Sequence, residues 1–399
     1  MSEMPKTLDQ KLIGAFSSFV EDVERELGLP SANIHIRVAR AGANLVEAES
    51  LPDRIYMASS IKPHYAKVWV EECLGGLDMN VPLKCIDREI AMFIVWDIIG
   101  GNEDAMAVDV VRKAYGQPLE EVRGIYDLTA EKVVDPEFQS TLEVLLSRLQ
   151  GQQYTPAELI HLTLGPSSND SLVAIRNMLA ASMDSEFPEL PLSAEKGDEI
   201  GQRDLVKRDE ILRQTADLVG LIANEAVGPD ATIAVRRSTL AANLGDPNSA
   251  VFKDLSTLNT VVFDWVASGE PGYSKVFWDA LTQTVDNPRA VNRQHEIKHI
   301  LKGLGYKGEV IEKSGYWLDS DATKGEGKMK LNSFARVFLP DSKEYIDVHY
   351  AVEVPFTVEV GEGEAETESR IAEQAKVLSD KVAEILRGKL ADVLGLDVS

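Results

Sequence analysis

The chain has 399 residues, 44% of them apolar, so it can bury a sizeable core in one large domain or two to three ordinary ones. With 41 Lys and Arg against 65 Asp and Glu, its formal net charge is -24. Such a surface repels phosphate backbones and anionic bilayers, which argues against nucleic acid and membrane as partners.

Residues 6–28 place Leu12, Ile13, Phe16, Phe19, Val20, Val23 and Leu27 at helical spacing, closed by Gly28-Leu29-Pro30. Residues 33–39 alternate apolar and polar as a half-buried strand does, and a second short strand follows near 45–48. Ser59 then opens an apolar-periodic helix that runs to about Val70. Residues 86–150 are mostly helical, over 90–99, 105–115, 119–126 and 141–149. Thr155-Pro156-Ala157-Glu158 starts a helix with Thr at the N-cap, Pro at N1 and Glu at N3. That helix reaches Leu164, residues 165–169 turn, and Asp170 caps another helix through Leu179. Residues 186–204 are polar and predict a long surface loop.

Residues 205–226 are helical again, a helix is expected over 235–244, and 261–266 and 273–285 hold further helices. Residues 293–304 form a helix closed by Gly305. After that, 309–313, 333–339 and 345–360 are β-branched and aromatic runs of strand type. Pro340-Asp341-Ser342-Lys343 turns between the last two, an acidic loop covers 361–368, and 368–393 is a final amphipathic helix. Strands at both ends without a parallel-crossover rhythm predict one antiparallel sheet built from both ends of the chain, with a helical insertion. The fold class expected is α/β, of the α+β kind.

Residues 1–10 are polar and hold no signal-peptide stretch, so a cytoplasmic protein is expected; a leader already removed would make it periplasmic or secreted. The most apolar window, 90–99, is too short to span a bilayer and contains Asp97. Cys73 and Cys85 form no C-x-x-C pair and read as two unrelated reduced thiols. The sequence sets no oligomeric state.

Three short motifs carry chemistry. Ser59 and Lys62 lie three residues apart at a helix start, so the lysine amine points toward the serine hydroxyl. A free serine is a poor nucleophile and needs such a base, while a helix N-terminus favours an oxyanion. Ser167-Ser168-Asn169 sits on a turn between helices, where a hydroxyl and an amide reach one cleft. Lys313-Ser314-Gly315 ends a strand, with Lys313 and Gly315 on one side. Read singly, the second is an N-cap cluster and the third a strand-end turn.

In this order and on these element types, S-x-x-K, S-x-N and K-S-G resemble the motifs of the serine β-lactamase and DD-peptidase superfamily, which includes penicillin-binding proteins, and most of all class A β-lactamases. The likeness extends over 155–179, 300–315 and 333–354 and is poor over 87–150 and 184–294. It implies a β-lactamase-like fold: a sheet subdomain of residues 1–58 and 305–399 with flanking terminal helices, a helical subdomain of 59–304, and the active site between them. It implies Ser59 as nucleophile, Lys62 as its activating neighbour and Ser167 as proton relay to the leaving nitrogen. Asn169 would bind a substrate amide, Lys313 would orient Ser167 and attract a substrate carboxylate, and Ser314 would help to hold that carboxylate. The amides of Ser59 and Tyr316, the latter following Gly315, would form the oxyanion hole. The reaction expected is hydrolysis of a lactam, amide or ester in a small-molecule or peptide-like substrate through an acyl-enzyme, with no metal or cofactor.

The sequence also departs from that pattern. The glutamate that activates the deacylating water stands in an E-x-x-L-N loop; here the nearest match, Glu186-Phe187-Pro188-Glu189-Leu190-Pro191, lacks the asparagine. Glu186 and Glu189 are the candidate bases. The carboxylate-binding arginine would fall near Asn332, and Arg336 is displaced from it. An acylating but non-hydrolysing binding or sensor protein is therefore the alternative. A third reading comes from His295-Glu296-Ile297-Lys298-His299, a literal H-E-x-x-H zinc signature. Its apolar stripe, Ile297, Ile300, Leu301 and Leu304, puts both histidines on the solvent side of the expected helix, and only His349 offers a third ligand downstream.

Overall fold

The alternating apolar run near the N-terminus becomes an edge-side strand of a five-stranded sheet. In a computed structural model, the described residues are 7–29, 32–51, 54–73, 78–100, 104–126, 128, 136–188, 199–235, 248–269, 272–283 and 293–397. The chain forms α1 (Leu8–Phe16), α2 (Phe19–Leu27), β1 (Asn33–Arg40), β2 (Ala43–Glu49), β3 (Arg54–Tyr56), a 3-10 turn (Ala58–Ile61) and α3 (Lys62–Cys73). Helices α4 (Arg88–Gly100), α5 (Ala105–Tyr115), α6 (Leu119–Ile125), α7 (Pro136–Leu149), α8 (Pro156–Leu164), α9 (Asn169–Met183) and α10 (Glu199–Val227) follow. Then come β4 (Ser249–Val251), α11 (Phe252–Ser268), α12 (Ser274–Thr282), α13 (Ile297–Gly303), β5 (Val310–Asp321), β6 (Glu326–Phe338), β7 (Tyr345–Thr357) and α14 (Glu364–Leu394).

The main sheet is antiparallel throughout, in the order β2-β1-β7-β6-β5. It is built from both ends of the chain, as the strand distribution requires. Residues 346–354 of β7 are all buried, because this central strand is covered on both faces. One face carries Ile34, Ile36 and Tyr350 against Phe16 and Phe19 of the N-terminal helices and Leu378, Val382 and Leu386 of α14. Each such side chain contributes about 1.5–3 kcal/mol on burial, so the terminal helices are fixed to the sheet. Helix α13 packs on this side through Ile297, Ile300 and Leu301. On the other face Ile311, Phe334 and Ala351 join a larger core of Trp69, Ile94, Val110, Leu172 and Phe263 from the helices. The fold is therefore α/β, an antiparallel sheet flanked by terminal helices with a helical body on its other face.

Several local expectations are corrected. The first helix is two, parted at Ser17-Ser18, where the Ser18 hydroxyl donates to the Asp22 carboxylate at 2.8 Å. Helix α9 is capped by Ser168, whose hydroxyl accepts from the Ser171 amide at 3.0 Å, and Asp170 lies buried inside the helix. Residues 199–204 belong to α10 and not to a loop, and α14 begins at Glu364, inside the expected acidic loop. Strands β3 and β4 pair with each other and were not expected, since strands so short show no periodicity. The expected helix at 235–244 falls largely outside the described residues. Both cysteines are free, and among the described residues no helix is long and apolar enough to cross a membrane.

Candidate active site

Sequence separation hides how tightly the three motifs are held. The 3-10 turn carrying Ser59 is tied down from three sides. Asn332 Nδ2 donates to the carbonyls of Tyr56 and Met57 at 3.0 and 3.3 Å, Met57 N donates to Asn248 O at 3.1 Å, and Tyr56 N donates to Glu353 at 2.7 Å. Ser60 Oγ donates to Met57 O at 2.5 Å. Under these restraints Ala58 is held at φ 44, a left-handed conformation that costs a non-glycine residue roughly 1–2 kcal/mol. Ser59 itself is half-buried, and Lys62 begins α3 one turn later.

The 167–169 turn is built with equal care. The capping box of Thr155 and Glu158 starts α8, and Ser168 caps α9. Between them Asp104, the N-cap of α5, accepts from Ser168 Oγ at 2.5 Å and from the Asn169 amide at 2.7 Å. Arg293 donates to Gly165 O at 3.3 Å and Pro166 O at 2.5 Å from the opposite side. Ser167 sits at φ 67, a second left-handed non-glycine residue. Its carbonyl is thereby turned toward Lys62.

Lys62 is the hub. It is fully buried, and its Nζ donates to Ser167 O at 2.5 Å, Asn169 Oδ1 at 2.8 Å, Ser168 O at 3.0 Å and Ser167 Oγ at 3.3 Å. Among the described residues these partners all lie on the 167–169 turn. The amine is thus aimed at that turn. Burial pulls its pKa down to about 7; Arg293 adds to this, while Asp104 and Asp170 oppose it. Asp170 is buried with one carboxyl oxygen unpartnered, and burial together with Asp104 and Asp97 holds it well above the usual carboxylate range.

Strand β5 forms the third wall. Lys313 is buried and pairs in register with Phe334, and its pKa is driven well below the ordinary lysine value by burial and by Lys62 and Arg293. Gly315 lies directly against the Ser59 turn: a Cβ there would stand 2.7 Å from Ala58 Cβ and 3.0 Å from Ser59 N. Only glycine permits that approach. Tyr316 follows, half-buried, with its ring 6.4 Å from that of His295. Ser314 Oγ donates to Glu296 Oε1 at 2.5 Å.

The structure thus links Lys62 to Ser167 and Asn169 by hydrogen bonds, sets Gly315 against Ser59, and brings Lys313 near enough to Lys62 to feel its charge. It does not do so for the other candidates. Glu186 is exposed at 77% and ion-paired with Lys207, and Glu189 lies outside the described residues. Arg336 is buried in an ion pair with Asp347 at 2.7 Å and Asp264 at 2.6 Å, so its charge is already spent within the sheet.

The H-E-x-x-H motif is not a helical zinc face. Helix α13 starts only at Ile297, with Glu296 as an extended N-cap at ψ 130, so His295 precedes the helix and is buried instead of solvent-facing. Glu312 accepts from the amides of Ile297 and Lys298 at 2.9 and 2.7 Å, which fixes that start. His349 is elsewhere, bonded through Nδ1 to Ser256 at 2.7 Å. Among the described residues, the one group of three close potential metal ligands is Asp97, Asp104 and Asp170.

Sequence reasoning missed Asp104 and Arg293, whose partners are distant in sequence, and met Asn332 only as the place of an absent arginine, not as the clamp on Tyr56 and Met57. It met Glu296 only under a different chemistry.

No family model and no curated protein matches this chain. Among solved structures the chain is similar to serine β-lactamases of class A and to a penicillin-binding protein. A class A β-lactamase from Mycobacterium abscessus is 13% identical with a TM-score of 0.42, covering 90% of this chain and 98% of its own. A β-lactamase from Chitinophaga pinensis is 12% identical at 0.46, covering 91% and 98%. A mutant of PBP-A, solved as an acyl-enzyme with penicillin G, is 14% identical at 0.45, covering 92% and 94%.

Proposed function

We propose that this chain is a serine hydrolase of the β-lactamase and DD-peptidase type that takes an acyl group onto Ser59. The observation that carries the reading is the Lys62 amine. It is buried, drawn toward neutrality, one turn from Ser59, and within 3.3 Å of the Ser167 hydroxyl. A lysine that ionises near pH 7 can take the Ser59 proton as Oγ attacks an ester, amide or lactam carbonyl. Ser167 would pass a proton to the departing group. The Ser59 and Tyr316 amides, on the two segments pressed together at Gly315, would hold the oxyanion. Lys313 would orient Ser167.

A deacylating base must sit beside the acyl carbonyl, screened from bulk water, and Glu186, exposed and ion-paired with Lys207, does not meet that description. The alternative reading, a chain that acylates but does not turn over, is therefore kept as an outcome of the test.

Incubation with a fluorophosphonate probe followed by intact mass tests the nucleophile. One adduct on Ser59, absent in Ser59→Ala, is expected; no adduct would sink the assignment. A chromogenic ester then separates the modes: a burst of one equivalent followed by slow release indicates rate-limiting deacylation.

A further inference from the structure

The feature that the proposed chemistry leaves unused is the carboxylate of Glu296. It is 4% exposed, and it stands beside the Arg293 guanidinium at 3.6 Å, with the amines of Lys298 and Lys313 close enough to feel its charge. Burial alone would favour its protonated form, but Arg293, Lys298, His295 and the Ser314 hydroxyl outweigh it and hold the carboxyl below its usual range. Glu296 is therefore an anion. Its partner Ser314 immediately precedes Gly315, the residue packed on the Ser59 amide. Its partner Arg293 is bonded to Gly165 and Pro166, just before Ser167.

Its position is braced. Glu312 accepts from the Ile297 and Lys298 amides and from Ser333 Oγ at 2.5 Å, so the segment bearing Glu296 is fixed against β5 and β6. Lys298 is anchored by donation to Leu281 O at 3.0 Å. Arg293, Lys298, Lys313 and the Ser314 hydroxyl form an anion-binding site one residue along β5 from Gly315; the second carboxyl facing it, Glu312, is pushed up to about 7 by burial and by Glu296. The anion in it belongs to the chain itself.

We propose that Glu296 is a specificity-determining residue: its carboxylate occupies the anion position next to Ser59, so that the chain selects acyl donors carrying no carboxylate close to the scissile bond. This rests on Ser59 being the nucleophile. A substrate carboxylate entering here would meet Glu296 across a few ångströms of low-dielectric space, with Ser314 already committed. A neutral ester or amide meets no such opposition.

The test pairs two esters with the same leaving group, p-nitrophenyl butyrate and mono-p-nitrophenyl succinate, and reads acylation of Ser59 by intact mass and by nitrophenolate release. The full chain is used throughout. The neutral ester is expected to acylate at least about tenfold faster than the carboxylate ester, after correction for their intrinsic reactivities. Glu296→Gln keeps the shape and an acceptor for Ser314 while removing the charge, and is expected to shrink that ratio by about tenfold. Equal rates in the wild-type chain overturn the inference, and so does a ratio that Glu296→Gln leaves unchanged. The wild-type comparison stands if the variant fails to fold. Labelling of Ser59 by the fluorophosphonate without discrimination between the esters overturns this inference alone, whereas no labelling overturns the nucleophile reading and this one with it.

Discussion

Gly315→Ala probes the joint between β5 and the nucleophile's turn. The added methyl would stand 2.7 Å from Ala58 Cβ, 2.7 Å from Asn332 Oδ1 and 3.0 Å from Ser59 N. Non-bonded carbons rest at about 3.5–4.0 Å, so β5 and the 58–61 turn must separate by about 1 Å. None of the three atoms is the far end of a flexible side chain. Ala58 is held at φ 44, and Asn332 is committed to the carbonyls of Tyr56 and Met57. The overpacking is expected to cost about 1–3 kcal/mol of stability. A displacement of about 1 Å at the reacting centre is expected to lower acylation about a hundredfold. The assay is the second-order rate of fluorophosphonate labelling by intact mass, with urea denaturation on the same samples. Gly124→Ala is the control, since that glycine is exposed on α6 with open space around its Cβ position; it should leave the rate unchanged. A folded Gly315→Ala protein that labels within threefold of the wild type would refute the placement of β5 as a wall of the site.

Acylation should rise with pH through about 7, as Lys62 loses its proton, and Lys62→Met should abolish that dependence; a pH–rate profile checks both. The same shift has a stability consequence. Between about pH 7 and the ordinary lysine value the unfolded chain holds a proton that buried Lys62 lacks, so this group makes stability rise with pH in that window. Urea denaturation should show a weaker rise in Lys62→Met. Arg336→Met should lose about 3–5 kcal/mol, because it leaves buried Asp347 without its cation, yet its folded fraction should label Ser59 at the wild-type rate. A selective loss of labelling would return Arg336 to the site. Glu186→Gln should leave acyl-enzyme release unchanged, and treatment with 1,10-phenanthroline should leave labelling unchanged; a loss on chelation would revive the zinc reading of His295, Glu296 and His299.

The sequence made the motifs legible because each is local: a serine and a lysine one helical turn apart, a capped turn between two helices, a glycine on a strand. The sheet was legible for a similar reason, since one alternating run near the start and β-branched, aromatic runs near the end, without a parallel-crossover rhythm, leave few topologies. What could not be read were the clamps. Asp104 reaches Asn169 across 65 residues, Arg293 reaches Gly165 across 128, and Asn332 reaches Tyr56 across 276. Each is a charged or amide residue of ordinary surface type until tertiary packing supplies its distant partner. The H-E-x-x-H pattern misled in the opposite way. Helical spacing was assumed across it, but Glu312 captures the first helical amides and ends the helix at Ile297, leaving Glu296 free to turn toward Ser314.

The case for a working site rests less on the motifs than on residue choices that oppose folding. Ala58 and Ser167 adopt left-handed backbone, at about 1–3 kcal/mol each, where glycine would serve without strain. Lys62 and Lys313 are both buried, although desolvation disfavours their charges, and Lys62 further lowers the affinity of Lys313 for a proton. A chain with a net charge of -24 has abundant carboxylates with which to neutralise such a cluster, yet it supplies few there. Asp104 is committed to the 167–169 turn, Asp170 is held toward its neutral form, and Glu296 is committed to Ser314. Left this way, the lysines lean toward neutral amines, the state a base requires and a structural ion pair does not. Strain and buried amines beside Ser59 are disadvantages for stability, and the acyl transfer proposed for that serine would account for keeping both.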